Sequence, residues 1–579
     1  MPVNDMSFRI GGEAGQGVES SGAGFAKALT RGGLQVIGVS SYYSRIRGGH
    51  NYTTVRVGEK TVLAVRDTIE LLLALNAETV GRHVDKLVPG GAIIVDEAIK
   101  FDEALVAGRE VNVFRLPMTA IAEREGSTLM VNTASLAVAA GLTGFPLEHI
   151  LSVVEDNFRR KGEAVVQSNW RVAQAAYDLS KERFGAAFPW KLEARQAPPR
   201  LTITGNQAFA LGSLMAGCKF VAGYPMTPAT SILEYMARHS AEWGIMTKHA
   251  ESETAAINMI VGAAHAGVRA MVPTSGGGFD LMTEGVSLAG MIEAPVVIYV
   301  GQRPGPATGM ATRTAQSELF LVLNAGHGEF PRVVLAPHTP LENFCCAVRA
   351  FNIAEKYQCV VIVLSDEYNA GTIYSVDAEA FDLQEVRIDR GKLLSPEQVE
   401  AMPDYKRYAL TPDGVSPRAI PGSSPKAVHM TTSDEHTEEG HITEDPEVAT
   451  AMAEKRLRKL EAARADIRPP LKNGPQQAEL TFVSWGSSYG SVREAMNILN
   501  ERGTTANMVH FVDLWPFPAE AAREALAGAK RIVDVESNAR AQFAFLLHAY
   551  AGIEVNDKIL KYDGRGFTPD YILSRLEDR

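Results

Sequence analysis

The sequence predicts a multidomain α/β protein with mostly parallel sheets flanked by helices, and three observations lead there. The chain has 579 residues, too many for one hydrophobic core when domains run to roughly 150 residues. Short apolar strands alternate with amphipathic helical stretches along most of it, the pattern of parallel sheets covered on both faces. Several strands also run straight into glycine- or proline-rich turns that open a helix, the edge where α/β sheets bind ligands.

The first unit, 1–188, opens with a strand at Phe8–Ile10, the turn Gly11-Gly12-Glu13-Ala14-Gly15-Gln16-Gly17 and a helix near Val18–Arg31. Further strands fit Gln35–Val39, Tyr52–Val57, Ala92–Val95 and Val111–Leu116. Prolines and charges mark 189–204 as a linker. A second α/β unit, 205–392, holds strands at Phe220–Ala222, Arg269–Thr274, Val296–Val300, Arg332–Leu335 and Cys359–Leu364. Its helices fit Ser231–His239, Ser252–Ala266 and Thr339–Lys356. From 393 to 474 the pattern degrades into charge and punctuation, too polar to carry a core, so a long arm or crossing loop with one helix in EVATAMAEKRLRKLEAARAD is expected. The last unit, 475–579, is a smaller α/β domain opening with the strand LTFVSW.

Composition narrows the function. A formal net charge of −11 argues against nucleic-acid binding as the main role. No apolar run approaches the roughly 18 residues that span a bilayer, and MPVNDMSFRI lacks the basic and apolar regions of a secretory signal. A cytoplasmic location away from membranes is therefore the expectation. The cysteines, Cys218, Cys345, Cys346 and Cys359, form no CxxC, so reduced thiols and no metal or cluster on this chain are expected.

Five stretches carry chemistry. The first turn is GxxGxG rather than the dinucleotide spacing, and Val39-Ser40-Ser41 lacks the acid that would hold a ribose, so NAD is not expected. A structural turn and a phosphate cradle are equally good readings of it. Ser41 to Asn51 places Arg45 and Arg47 two apart, a fork for phosphate or carboxylate if the loop is extended, and otherwise a solvated loop or subunit contact. In Gly223-Tyr224-Pro225-Met226-Thr227-Pro228, the prolines stiffen a loop that presents the Thr227 hydroxyl, which could position a substrate or cap a helix. Glu251 and Glu253 precede a helix of small apolar residues, where Glu253 could either cap or share a proton with a heterocycle nitrogen. Arg303 directly follows an apolar strand and could clamp a carboxylate; Arg313 is a second candidate, with a surface salt bridge as its alternative. A hydroxyl, a carboxyl and a guanidinium from three segments could thus meet at one sheet edge.

Together, IGGEAGQG, SYYSRIRGGHN, YPMTPAT, HAESETAA, TSGGGFDLMTEG and GQRPGPATGMATRT resemble the 2-oxoacid:ferredoxin oxidoreductases, which use thiamine diphosphate. The order resembles a fused γ–α subunit, and GHGEFPR with YKRYALTPDGVSPRAIPG points to the 2-oxoglutarate type. The resemblance implies a thiamine-enzyme pyrimidine-type domain at 205–392 and a transketolase C-terminal-like domain at 475–579. It implies that Glu253 meets the aminopyrimidine beside Tyr224 and Pro225. Thr227 and Arg303 would hold the 2-oxoacid carboxylate, with Arg313 a weaker substitute, and Arg45 and Arg47 would meet the phosphates of coenzyme A. No GDG followed by an asparagine pair is present; Asp413-Gly414 and Asp563-Gly564 lack that context. Half of the cofactor site, Mg2+ and the [4Fe-4S] cluster are accordingly expected on a partner β subunit, in an (αβ)2 assembly that reduces ferredoxin. Competing readings are the same chemistry on pyruvate or branched 2-oxoacids, a self-contained thiamine decarboxylase, and a noncatalytic coenzyme-A-binding or assembly scaffold.

Overall fold

A computed structural model describes residues 3–43 and 48–577. The chain forms two compact units, one of residues 1–204, 371–381 and 568–579, the other of 205–370 and 382–567. Arg45 and Arg47 lie outside the described residues.

The first unit is built on an eight-stranded sheet in the order Asn112–Leu116, Leu87–Asp96, Ile69–Ala74, Met6–Glu13, His50–Gly58, Gln35–Ser41, Ile373–Asp377 and Arg200–Thr204. The glycine-rich turn joins Met6–Glu13 to the helix Val18–Arg31, with Gly15 and Gly17 at φ 94° and 73°, where a side chain would be strained. Buried Val18, Phe25, Ala26 and Leu29 face the sheet, and the rings of Phe25 and Phe8 lie 4.8 Å apart. The sheet is more mixed than the alternating pattern suggests. Gln35–Ser41 and His50–Gly58 pair antiparallel, with Val36 opposite Val57. The connection 42–49 is too short for the crossover that parallel strands need.

The second unit carries two sheets. The larger runs Asp513–Trp515, Arg332–Leu335, Val360–Asp366, Val296–Gln302, Ala270–Ser275, Phe220–Gly223 and Met246–His249. Its middle strands Val296–Gln302 and Val360–Asp366 are buried throughout and pair in parallel from Val296–Val360 to Gln302–Asp366. Their continuous apolar runs are what burial on both faces requires. The smaller sheet runs Leu471–Asn473, Ala506–Phe511, Leu480–Trp485, Ile532–Glu536 and Asp557–Leu560.

The polar stretch 393–474 is held by charge rather than by a large core. Its helix, Pro446–Ala463, starts on the Asp445 side chain, which accepts from the amides of Glu447 and Val448. Lys455 and Lys459 from that helix are fully buried and both pair with buried Glu293, Lys455 Nζ at 2.5 Å. Burial alone would raise the Glu293 carboxyl, but the ammonium groups of Lys459 and Lys455 outweigh it and hold it well below the ordinary carboxylate range. Glu355 likewise gathers Arg269, Arg390 and Arg418. A small apolar cluster of Val399, Tyr405, Ala419 and Ala427 completes the packing. Among the described residues, no helix is long and apolar enough to cross a membrane.

Candidate active site at the sheet edge

The candidate residues of the second unit gather where three neighbouring strands end. Phe220–Gly223 runs into the loop bearing Thr227, Ala270–Ser275 into the short helix Gly276–Asp280, and Val296–Gln302 into Arg303. Gly301 sets the spacing of the first and third: a Cβ there would lie 2.7 Å from Pro228 Cγ. The bare backbone lets the Thr227 loop close onto the strand end, and Arg303 Nη1 donates to the Thr227 carbonyl at 2.8 Å. That bond fixes one edge of the guanidinium.

Glu253 is the first residue of the helix Glu253–His265, capped by Ser252 Oγ, which accepts from Ala255 N at 3.2 Å. Because Ser252 caps, the Glu253 side chain is released for another use. It is buried, with Oε1 closed off from solvent and without a hydrogen-bond partner, whereas Glu251 is exposed. The carboxyl lies against Gly278, where a Cβ would come within 2.8 Å of Glu253 Cγ and 2.2 Å of Thr274 Oγ1. A buried carboxylate oxygen lacking a donor costs about 1–3 kcal/mol, a penalty that a ligand N–H would remove.

Tyr224 and Pro225 lie exposed in the loop after Phe220–Gly223, the Tyr224 ring 6.2 Å from that of His249. Arg313 is buried beside the turn at Gly564, whose Cβ would meet Arg313 Cβ at 3.0 Å, and Thr314 N donates to the Gly564 carbonyl. In the first unit, the Glu13 amide of the glycine-rich turn donates to Gln16 Oε1 at 2.7 Å, so the turn satisfies one of its own donors.

Sequence reasoning missed Glu318. It occupies the cap position of the helix Leu319–Asn324 without capping it. Its side chain instead lies against Gly276, where a Cβ would fall 2.7 Å from Glu318 Cγ, and Oε2 is enclosed without a partner. Gly276 and Gly278, two apart on one short helix, thus each make room for a carboxyl. Burial pushes the Glu318 carboxyl up to about 7, against the opposing pull of the Ser317 hydroxyl and the Arg303 charge. A glutamate opening a helix looks like a dipole partner in sequence, so nothing local marks it.

The comparisons with known proteins agree along the chain. Residues 7–179 match the family described as pyruvate ferredoxin/flavodoxin oxidoreductase. Residues 212–455 match its thiamine-diphosphate-binding region, and 478–570 match core domain II of pyruvate:ferredoxin oxidoreductase. An alpha subunit of 2-oxoacid:ferredoxin oxidoreductase from Sulfolobus is 33% identical over 99% of this chain and 96% of its own. The chain belongs to the 2-oxoacid:ferredoxin oxidoreductases, as an alpha-type subunit. A second member of this oxidoreductase family, the 2-oxoglutarate oxidoreductase subunit KorA of Mycobacterium tuberculosis, is 28% identical over 98% of this chain and 91% of its own. The solved 2-oxoglutarate:ferredoxin oxidoreductase of Magnetococcus marinus, which has 2-oxoglutarate, coenzyme A and succinyl-CoA bound, superposes with a TM-score of 0.92 at 31% identity, covering 99% of each chain.

Proposed function

We propose that this alpha-type subunit acts on 2-oxoglutarate, which the enzyme converts with coenzyme A and oxidised ferredoxin into succinyl-CoA, CO2 and reduced ferredoxin. The observation that carries the reading is the junction of Thr227, Arg303 and buried Glu253 at one sheet edge, in a chain of this family. The choice of 2-oxoglutarate is supported by the names of the Magnetococcus structure and the KorA relative.

The residues fit thiamine diphosphate: Glu253 Oε1 is an enclosed acceptor lacking a donor, and the bare backbone of Gly278 is what lets the Glu253 side chain lie where it does. When bound, that cofactor supplies the carbon nucleophile and the electron sink for decarboxylation. Glu253 would hold a proton at the ring nitrogen of the aminopyrimidine, with Tyr224 and Pro225 at the mouth. Arg303, steadied on the Thr227 carbonyl, would bind the 2-oxoacid carboxylate with the Thr227 hydroxyl beside it, fixing the reacting carbonyl in place. Arg313 is the alternative guanidinium. Arg45 and Arg47 would meet the phosphates of coenzyme A. A partner β subunit would supply Mg2+, the rest of the cofactor site and the [4Fe-4S] cluster in a cytoplasmic (αβ)2 assembly.

Glu253→Gln tests the assignment, because the amide keeps the shape but cannot exchange the proton. Turnover of the assembled enzyme should fall about 10²–10⁴-fold, the usual contribution of a positioned acid or base. Near-normal turnover would remove Glu253 from its role.

A further inference from the structure

The Glu318 carboxyl has no place in the chemistry so far. The backbone of Glu318 is built into the site from two sides. The Glu318 amide donates to Gln302 Oε1 at 3.1 Å, and Gln302, the residue before Arg303, is itself anchored by Nε2 to the Ser365 carbonyl at 3.0 Å. From the other side, Gln542 Nε2 donates to the Ser317 carbonyl and its Oε1 accepts from Phe320 N. Gln316 bonds to Ser537 and Asn538 through its backbone. The segment is therefore clamped between the end of the Val296–Gln302 strand and the Ile532–Glu536 strand's following loop. Of the Glu318 carboxyl, Oε1 accepts from the Ser317 hydroxyl at 3.2 Å, while Oε2 is enclosed and without a partner.

The charged groups around it are few. Arg303 is the cation, and each of the two feels the other's charge, though the guanidinium donates to Thr227 rather than to Glu318. Glu253 lies against the same short helix, and Asp280 ends it on the exposed side. Asp366, at the end of the adjacent strand, is occupied by Thr314 Oγ1 and the Asn369 amide. Glu536 is spent on the amides of Phe543 and Ala544 and on Asn538.

We propose that Glu318 is a positioning residue acting through Arg303: uncharged, it leaves the guanidinium to the incoming 2-oxoacid carboxylate, and ionised, it competes for that guanidinium and repels the substrate. The proposal rests on Arg303 being the carboxylate clamp. Because burial already pushes this carboxyl up to about 7, its ionisation falls in the working range of pH. A bound carboxylate then favours the neutral form further, so substrate binding should take up a proton.

The test uses the assembled enzyme, anaerobically. Between about pH 6 and about pH 8.5, kcat/KM for 2-oxoglutarate should fall about tenfold or more, with the change in KM rather than kcat. In Glu318→Gln the same ratio should be within about twofold of unity. Calorimetry of N-oxalylglycine, a non-reacting 2-oxoglutarate analogue, in buffers of different ionisation enthalpy near pH 7.5 should show proton uptake in the natural protein and none in the variant. Equal proton uptake in both proteins, or a pH profile unchanged by the substitution, would overturn the proposal. Should the variant fail to assemble, a flat kcat/KM and no uptake in the natural protein would overturn it alone. Absence of turnover with every 2-oxoacid would instead sink the underlying functional reading, while the calorimetry would still judge Glu318.

Discussion

Gly278→Ala puts the geometry around Glu253 under direct strain. The added Cβ would sit 2.2 Å from Thr274 Oγ1, 2.8 Å from Glu253 Cγ and 2.9 Å from Glu253 Oε1. Ordinary contact begins near about 3.4 Å, so the hydroxyl must retreat by about 1 Å and the glutamate by about 0.6 Å. Overpacking of this size costs about 1–3 kcal/mol of stability, partly offset by the roughly 0.5–1 kcal/mol that alanine gains over glycine in a helix. The larger effect should be on rate: a displacement near 1 Å at a reacting group costs on the order of 10²-fold, so the roughly 0.6 Å forced on Glu253 should cost about tenfold or more. Gly277→Ala is the matched control: its Cβ would meet nothing nearer than the Ala307 carbonyl at 3.9 Å. Anaerobic viologen reduction by the assembled enzyme, with thermal unfolding of both variants, separates rate from stability. If Gly278→Ala turned over within about twofold of Gly277→Ala, the position of Glu253 against Gly278 would not matter to catalysis.

Two further outcomes follow from contacts elsewhere in the second unit. Arg303→Ala should lower kcat/KM for the 2-oxoacid by about 10²–10³-fold, because a charged hydrogen bond to carboxylate is lost, and lysine should restore little of it; steady-state kinetics checks both. Glu293→Gln should destabilise the unit by about 3–5 kcal/mol, seen in denaturant unfolding, because it strands two buried ammonium groups. The Glu293 carboxyl is held below its unfolded value, so its stabilising effect is present above about pH 4.5 and is lost as the pH falls through the folded-state value. The natural protein should therefore lose more stability on acidification than the variant does.

What was legible in the sequence was local. The helix Glu253–His265 follows from its run of small apolar residues, though its cap is Ser252 rather than Glu253, and the central strands Val296–Gln302 and Val360–Asp366 follow from unbroken β-branched runs. The Thr227 loop and Arg303 could be placed at one edge because both directly follow apolar strands. Long-range facts were not legible. Glu318 is enclosed because Gly276 leaves it room and it feels the charge of Arg303, an arrangement made by the fold rather than by spacing. The arm's charges looked solvated, yet Lys455 and Lys459 are buried on a glutamate more than a hundred residues earlier. The antiparallel step in the first sheet was not read from the sequence, which suggested a mostly parallel sheet there.

The central claim is tested most directly by anaerobic viologen reduction in a complex purified through this chain with its co-expressed partner. Pyruvate, 2-oxoglutarate and branched 2-oxoacids would each be supplied with and without coenzyme A. The account predicts strong reduction with 2-oxoglutarate that depends on coenzyme A. Preference for another acid would keep the chemistry and contradict the substrate. No reduction with any acid, in a complex shown to contain thiamine diphosphate and intact clusters, would contradict the catalytic reading itself.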